Sequence, residues 1–131
     1  MPTIDDFIKF EFKIAKIVDA QDHPNADKLL VLKIDVGETE ETAAQPANEE
    51  SVTTDAVVET RPKLKQIVAG IKKAYSKEDL VGKHIVVVNN LEPAVLRGVE
   101  SNGMLLAATG SDGMPILISP EKPVEPGARV K

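Results

Sequence analysis

The chain has 131 residues, 42% of them hydrophobic, which suits one small domain built around a single core. It contains no cysteine, and this excludes disulfide bonds, thiol catalysis, zinc ribbons and redox motifs. A net charge of −5 argues superficially against a nucleic-acid partner, and neither a secretory leader nor an apolar run of about 18 residues is present, so we expect a cytoplasmic protein with no membrane partner.

The charge is unevenly distributed along the chain. Residues 38 to 60 contain seven acidic residues and no basic one, which leaves 14 acidic and 16 basic residues elsewhere. The segment is rich in Thr, Glu, Ala and Ser and lacks aromatic residues, so it has little to bury. We predict a single domain over residues 1 to 131 with an acidic, disordered insertion at about residues 38 to 62. Masking of a basic surface, or engagement of a protein partner, is the alternative to a simply tolerated insertion.

The N-terminus predicts a short amphipathic helix over residues 4 to 10. Thr3 is a good N-cap residue, and two aspartates follow in the first turn, where they complement the helix dipole. Phe7 and Phe10 are three residues apart and therefore share one face. We expect that face to be buried.

Runs of β-branched and apolar residues predict five strands, at residues 12 to 18, 29 to 36, 64 to 71, 83 to 89 and 104 to 108. A short helix is predicted between the third and fourth strands, because Ser76 is a good N-cap and Gly82 fits a C-terminal stop. Residues 115 to 119 and 128 to 130 add short extended pieces in a C-terminal extension. This order predicts an all-β fold, a five-stranded OB-fold barrel, with a small β-sandwich as the alternative.

The segment 89 to 104, NNLEPAVLRGVESNGM, is predicted to be a binding loop. Pro93 fixes one backbone angle, Gly98 and Gly103 permit conformations closed to other residues, and Arg97 supplies a charged donor. Polar groups on a loop held by a rigid scaffold are a common way to build a binding site. An ordinary long connection in a β-rich domain is the alternative.

The turn HPNADKL at residues 23 to 29 is a second candidate site. Asn25 and Asp27 can build an Asx turn that aims Lys28 outward. In the strand that follows, alternation places Lys33 on the solvent-facing surface of the sheet. Taken alone, the pattern favours an ordinary hairpin turn, but in an OB fold this turn borders the binding face.

Patterns for catalysis or metal binding are scarce. His23 precedes a proline and His84 opens a strand, so neither is placed near a nucleophile or a second ligand. The acid pairs stand at helix starts, and no glycine-rich phosphate motif is followed by Lys-Ser or Lys-Thr. We therefore predict a binding protein with no enzymatic activity, no cofactor and no metal.

Three stretches, taken in order, resemble a known family: HPNADKLLVLKIDVG, QIVAGI and NNLEPAVLRGVESNGMLLAA. They are similar to the tRNA-binding domain of freestanding structure-specific tRNA-binding proteins and of the C-terminus of methionyl-tRNA synthetases, and the closing PGARVK resembles the end of that domain. The resemblance runs from about residue 4 to the end and departs only at the acidic insertion. It implies an OB-fold barrel that binds the outside corner of tRNA without reading an anticodon, often as a homodimer, and it implies no reaction.

Carried onto this sequence, the resemblance implies six tRNA-binding positions: Asn25, Lys28, Lys33, Arg97, Ser101 and Met104. The three basic residues would pair with phosphates, the asparagine and serine would bond sugar hydroxyls or backbone oxygens, and the methionine would contact an unstacked base. For Met104, a core position at the start of a strand is an equal alternative. Lys33 is alternatively a plain solubilising charge.

Few aromatic residues are available to stack on bases. Phe7, Phe10 and Phe12 lie close together near the N-terminus, where we expect them to fill the bottom of the barrel, and Tyr75 is the only other aromatic residue. Binders of single strands stack successive bases on aromatic side chains. The composition therefore favours a folded RNA recognised through its backbone and shape.

The small positive charge outside the insertion implies moderate affinity, which dimerisation or attachment to a synthetase would raise. We expect a homodimer in which the tail, residues 115 to 131, completes a neighbour's surface. The chain is either freestanding, which the initiating methionine favours, or the appended domain of a methionyl-tRNA synthetase. The alternative function is a protein-binding module on the same fold, chaperone-like or a synthetase-complex scaffold, although the sequence does not advertise the exposed apolar patch that a chaperone needs.

Overall fold

The computed structural model describes residues 1–43 and 58–131, with side chains described over 1–39 and 62–131. Its elements in chain order are α1 Ile4–Ile8, β1 Phe12–Asp22, β2 Leu30–Ala43, β3 Val58–Ala69, α2 Lys77–Leu80, β4 His84–Val88, β5 Ala94–Leu96, β6 Val99–Ser101, β7 Met104–Leu105, β8 Ala107–Thr109, β9 Pro115–Leu117 and β10 Arg129–Val130. Neither helix in this part of the chain is long or apolar enough to cross a membrane.

The fold is organised around β1, which pairs antiparallel with β2, β4 and β10. The main sheet has the order β3-β2-β1-β4-β7. Its two ends meet where Asn102 N donates to Gln66 O at 2.8 Å and Val68 N donates to Ser101 Oγ at 3.0 Å. These bonds curl the sheet into a barrel. The predicted OB-like fold, with a short helix between the third and fourth strands, is confirmed.

The core is aliphatic and follows from the alternation of residues along the strands. In β2, Leu32 and Ile34 are fully buried and face inward, whereas Lys33 between them is half-buried on the other face, as predicted. The largest fully buried side chains are Ile17, Leu30, Leu32, Ile34, Ile67, Ile71, Leu80 and Ile85. Each contributes about 1.5–3 kcal/mol through removal of its apolar surface from water.

The N-terminal helix differs from its prediction in one important respect. Thr3 caps α1, and the reciprocal capping box between Thr3 and Asp6 is complete. However, α1 buries none of its residues, and Phe7 and Phe10 are 43% and 45% exposed. The expectation that these rings fill the bottom of the barrel is wrong, because aliphatic side chains already fill the core. The two rings instead lie against Phe12, with ring centroids 5.5 and 5.8 Å apart.

Strand pairing extends further into the predicted insertion than the composition suggests. After an irregularity between Asp35 and Thr39, β2 and β3 pair from Thr39↔Pro62 to Ala43↔Val58. The ends of the segment 38 to 62 are therefore strand, because two antiparallel arms satisfy each other's backbone groups even where little can be buried. Residues 44 to 57, the middle of the predicted insertion, lie outside the described residues.

The last third of the chain is built from short strands. The predicted fifth strand is divided at Leu106, which bonds to Val86 and Ile118 on either side while β8 leaves the main sheet to pair with β9. The predicted extended pieces of the tail are present as β9 and β10. Gly37 and Gly127 lie in direct backbone contact, where a side chain on either residue would clash with a carbonyl oxygen of the other segment, and this contact ties the tail to the end of β2.

Candidate functional site

The structure brings together the two candidate segments, the β1–β2 turn (residues 23 to 29) and the β5–β6 hairpin (residues 94 to 101). Asn25 Nδ2 donates to Arg97 O at 3.3 Å, so the amide of the turn holds the tip of the hairpin. An open depression of about 460 Å³ lies between them, lined by residues 25 to 29 and by Arg97. Three of the six predicted tRNA-binding residues, Asn25, Lys28 and Arg97, therefore share one surface depression.

His23 is the second link between these segments, and it is 5% exposed. Its Nδ1 accepts a hydrogen bond from Asn25 N at 2.9 Å, so that nitrogen carries no proton. The proton is then on Nε2, which donates to Leu96 O at 2.9 Å. The neutral imidazole thus connects the turn to the hairpin through its two ring nitrogens. No pattern in the sequence indicated this positioning role.

Arg97 and Gly98 form the two-residue turn of the β5–β6 hairpin. Their φ angles are +53° and +88°, and Leu96 pairs with Val99 on either side, which is the pattern of a type I′ turn. Such turns favour Asn-Gly, because an L side chain in the left-handed region is crowded. Arg97 is the only non-glycine residue of the described chain with a positive φ. The strain is confined to the exposed tip, where the guanidinium is presented to solvent.

A second concave surface, which we call the β3 groove, runs between the outer face of β2 and β3 and the base of the hairpin. It has a volume of about 570 Å³. Its lining residues are Lys33, Lys63, Leu64, Lys65, Gln66, Leu91, Pro93, Glu100 and Asn102. Lys33 was predicted as a tRNA-binding residue, and Leu91, Pro93, Glu100 and Asn102 lie in the predicted binding loop at residues 89 to 104. The opposite wall, residues 63 to 66, was not predicted as part of a site.

Hydrogen bonds fix the polar side chains of the β3 groove. Lys33 Nζ donates to Gln66 Oε1 at 2.6 Å, and Gln66 Nε2 donates to Glu100 O at 2.8 Å, so the amide is held in one orientation. Lys65 Nζ donates to Asn89 Oδ1 at 2.7 Å. In the part of the chain whose side chains are described, neither ammonium group forms an ion pair with a carboxylate.

Two acidic side chains, Glu11 and Asp22, are held by lysine ammonium groups or by a hydrogen-bond donor. The hydrogen bond from Asn89 Nδ2 (2.8 Å), reinforced by Lys13, holds the pKa of Glu11 below its ordinary value. Asp22, at the end of β1, lies 2.9 Å from Lys77 and 3.3 Å from Lys72, which lower its pKa. Lys72 and Lys77 are therefore already paired with a carboxylate.

The two remaining predicted residues lie inside the barrel wall. Ser101 is 2% exposed, and its hydroxyl accepts from Val68 N and donates to Gly103 O at 2.9 Å. Its hydrogen-bonding capacity is used to close the barrel. Met104 is half-buried at the start of β7, where it pairs with Val88. A contact of either residue with RNA stays a prediction.

The geometry of both surfaces suits binding of an extended anion. The depression between the β1–β2 turn and the β5–β6 hairpin and the β3 groove are both open, positively charged and lined by hydrogen-bond donors. Within the described residues, no three His, Asp or Glu side chains converge as metal ligands. The Asn89-Asn90 pair lies in the predicted binding loop, but its positioning role was not predicted. Asn89 bonds to Glu11 and Lys65, and Asn90 accepts from Glu11 N at 2.9 Å.

The chain is similar in sequence to several known proteins. A family model described as a putative tRNA binding domain matches residues 12–58 and 42–129. The methionine–tRNA ligase of Thermococcus onnurineus is 44% identical over 127 residues, and that of Thermotoga maritima is 44% identical over 128. These matches take in 97% and 98% of the chain, which spans 14% and 16% of the length of the two ligases.

Solved structures show the same similarity over whole chains. The crystal structure of a MetRS related protein from Pyrococcus horikoshii is 30% identical, with a TM-score of 0.76, and the match covers 100% of this chain and 98% of the other. The chaperone CsaA from Bacillus anthracis is 25% identical, with a TM-score of 0.74 and coverage of 100% and 99%. The family resemblance drawn from the sequence motifs is therefore confirmed.

Proposed function

Since the chain belongs to the family of tRNA-binding domains, we propose that it binds folded tRNA through the ribose-phosphate backbone and the shape of the RNA. The domain is a non-catalytic module related to protein biosynthesis. Its site of action is the cytoplasm, and its tRNA contacts are centred on the β1–β2 turn and the β5–β6 hairpin.

One observation carries this proposal: the convergence of Asn25, Lys28 and Arg97 on one depression, next to a groove that contains Lys33. Phosphates are bound by basic side chains whose charge is not already paired. His23 and Asn25 hold the turn and the hairpin together, so the charges are presented on a rigid surface. A preorganised surface loses less conformational freedom on binding.

The same domain fits two molecular contexts. The chain spans 14% of the Thermococcus ligase, and it covers nearly the full length of the Pyrococcus MetRS related protein. In the first context it is the tRNA-binding part of a methionyl-tRNA synthetase, and in the second it works as a freestanding protein. A homodimer supplies two tRNA sites and so raises the effective affinity of a module with modest charge.

A protein-binding function is the second candidate, and a specific observation favours it. α1 exposes Ile4 and Ile8 at 70% and 62%, together with the partly exposed Phe7 and Phe10. This apolar patch was not expected from the sequence. The structural likeness to a protein described as the chaperone CsaA points the same way. If tRNA binding is the function, the same patch is instead available for self-association.

A salt-titrated binding assay tests the proposed function. Folded tRNA is compared with a single-stranded RNA of equal length and composition. We expect tighter binding of the folded tRNA, with a dissociation constant that rises steeply with salt because counterions are released when phosphates are neutralised. Equal binding of both RNAs would contradict recognition of shape. No binding of either at low salt would transfer the function to a protein partner.

A further inference from the structure

We propose that the β3 groove receives one unpaired base of the bound RNA, while the lysines at its rim hold the adjoining phosphates. The proposal rests on the proposed function and extends it: recognition is not confined to the backbone, and one splayed-out nucleotide is bound in a defined site. Leu91 and Pro93 lie in the predicted binding loop, but no base-binding role was predicted for any apolar residue of this groove.

The shape and walls of the groove suit the flat, apolar faces of a base. Leu64 on β3 and Leu91 after β4 are each 41% exposed, and Pro93 completes the apolar lining. Single exposed leucines are normal on protein surfaces, but two leucines and a proline within one concavity are not a random scatter. The volume of about 570 Å³ is within the range of roughly 300–1,000 Å³ that is typical of small-ligand sites.

The polar groups of the groove suit the edge of a base. The backbone N–H of Asn102 is used in closing the barrel, but its side-chain amide has no hydrogen-bond partner among the described residues. An amide offers one acceptor and two donor hydrogens, so it can bond to an edge of any base. Gln66 is held between Lys33 and Glu100, which keeps the opposite wall rigid.

The charge of the groove favours a nucleotide over an apolar peptide. Three lysines and a single glutamate line it. The ammonium groups of Lys33 and Lys65 are bonded to uncharged oxygens, and each retains further N–H donors for a phosphate. An unpaired nucleotide combines an apolar base with an anionic phosphate, and this is the combination that the groove presents.

Leu91→Ala and Leu64→Ala test the proposal, with Val18→Ala as the matched control. All three side chains are 41% exposed, but Val18 on β1 does not line the groove. We expect each leucine variant to raise the Kd for folded tRNA by roughly fivefold, because a base loses its apolar contact. The salt slope should be unchanged, since no phosphate contact is removed. The control should bind like the wild-type protein.

Base-specific chemical probing of the tRNA supplies a second readout. We expect the wild-type protein to protect one or two unpaired bases, and Leu91→Ala to lose that protection while the protection of the sugar-phosphate backbone persists. Thermal unfolding of each variant verifies that the fold is retained.

The outcomes separate this proposal from the proposed function. Wild-type affinity in both leucine variants, with tRNA still bound, overturns the base site and leaves tRNA binding intact. If the wild-type protein does not bind tRNA, the proposed function fails and the base site fails with it. If Leu91→Ala weakens binding of an unfolded polypeptide but not of tRNA, the groove is a peptide site, and the proposal is overturned.

Discussion

Arg97 combines an unfavourable backbone conformation with an exposed charge at the candidate site. A left-handed conformation costs an ordinary L residue about 1–2 kcal/mol, and asparagine is among the residues that tolerate it best. Arg97→Asn should therefore stabilise the protein by roughly 0.5–1 kcal/mol, because it relieves part of that strain. The same change should weaken tRNA binding and lower the salt slope by about 1, since one phosphate contact is lost.

Chemical denaturation and a salt-titrated binding assay measure the two effects of Arg97→Asn separately. Lys122→Ala is the matched control, because it removes an exposed cation that lines neither surface. Reduced affinity in both variants alike would mean that only overall charge matters. Unaltered affinity in Arg97→Asn would place the RNA elsewhere.

His23 acts at the residue scale through hydrogen bonds and not through charge. His23→Leu preserves the apolar volume but leaves Asn25 N and Leu96 O without their partner. An unpaired buried group costs about 1–3 kcal/mol, and these two part-buried groups should cost less than that. We expect a lower melting temperature and weaker tRNA binding, because the turn and the hairpin are no longer held together. His23→Gln, which can retain the bond to Leu96, should recover part of both. Full tRNA affinity in His23→Leu would show that the link does not position the site.

At the scale of elements, Glu11 and Asn89 join the end of α1 to the end of β4. The lowered pKa of Glu11 means that its carboxylate stabilises the folded state at pH values above its ordinary pKa of 4.5, and that this contribution is lost as the pH falls through the folded-state pKa. Glu11→Gln should therefore be less stable than the wild-type protein at pH 7. The difference between them should shrink as the pH falls through the lowered pKa of Glu11. A difference in melting temperature that does not vary with pH would contradict this assignment.

The paired arms of β2 and β3 allow the middle of the acidic insertion to be removed cleanly. Ala43 and Val58 are register partners, so residues 44 to 57 can be replaced by Asn-Gly, which forms a two-residue hairpin turn. This removes three acidic residues, Glu49, Glu50 and Asp55, and no basic one. We expect the barrel to fold and tRNA to bind more tightly, because repulsion of phosphate is reduced.

A full-length control with Glu49→Gln, Glu50→Gln and Asp55→Asn separates the effect of the insertion's charge on tRNA binding from the effect of its length. This control should tighten tRNA binding as much as the deletion does, if charge is the cause. Weaker binding after the deletion alone would show that the insertion contributes contacts of its own. Both variants are compared by salt titration, in which the difference from the wild-type protein should shrink as salt rises.

At the scale of the molecule, the barrel was predictable because its core is encoded locally. Strand alternation such as that of Leu32, Lys33 and Ile34 fixes which face is buried, and the Ser76 cap places α2 between the third and fourth strands. The β5–β6 hairpin was not predictable, because an Arg-Gly turn lacks the Asn-Gly signature. The β3 groove was predicted only in part, because one wall belongs to the predicted binding loop and the other comes from β3, which only the folded barrel brings next to that loop.

Two surfaces are candidates for self-association: the apolar patch of Ile4, Phe7, Ile8 and Phe10, and the tail, residues 115 to 131. The expectation from the sequence assigns a dimer to the tail, whereas the structure also exposes apolar side chains on α1, including Ile8 at 62%. Light scattering should give twice the chain mass of 14.1 kDa for the wild-type protein. Ile8→Lys should give a monomer with weaker tRNA binding, because a buried charge at the interface is costly and the second site is lost. Ile116→Lys, on β9 and 53% exposed, should remain dimeric. A monomer in Ile116→Lys alone would return the interface to the tail, and a monomeric wild-type protein would remove the dimer altogether.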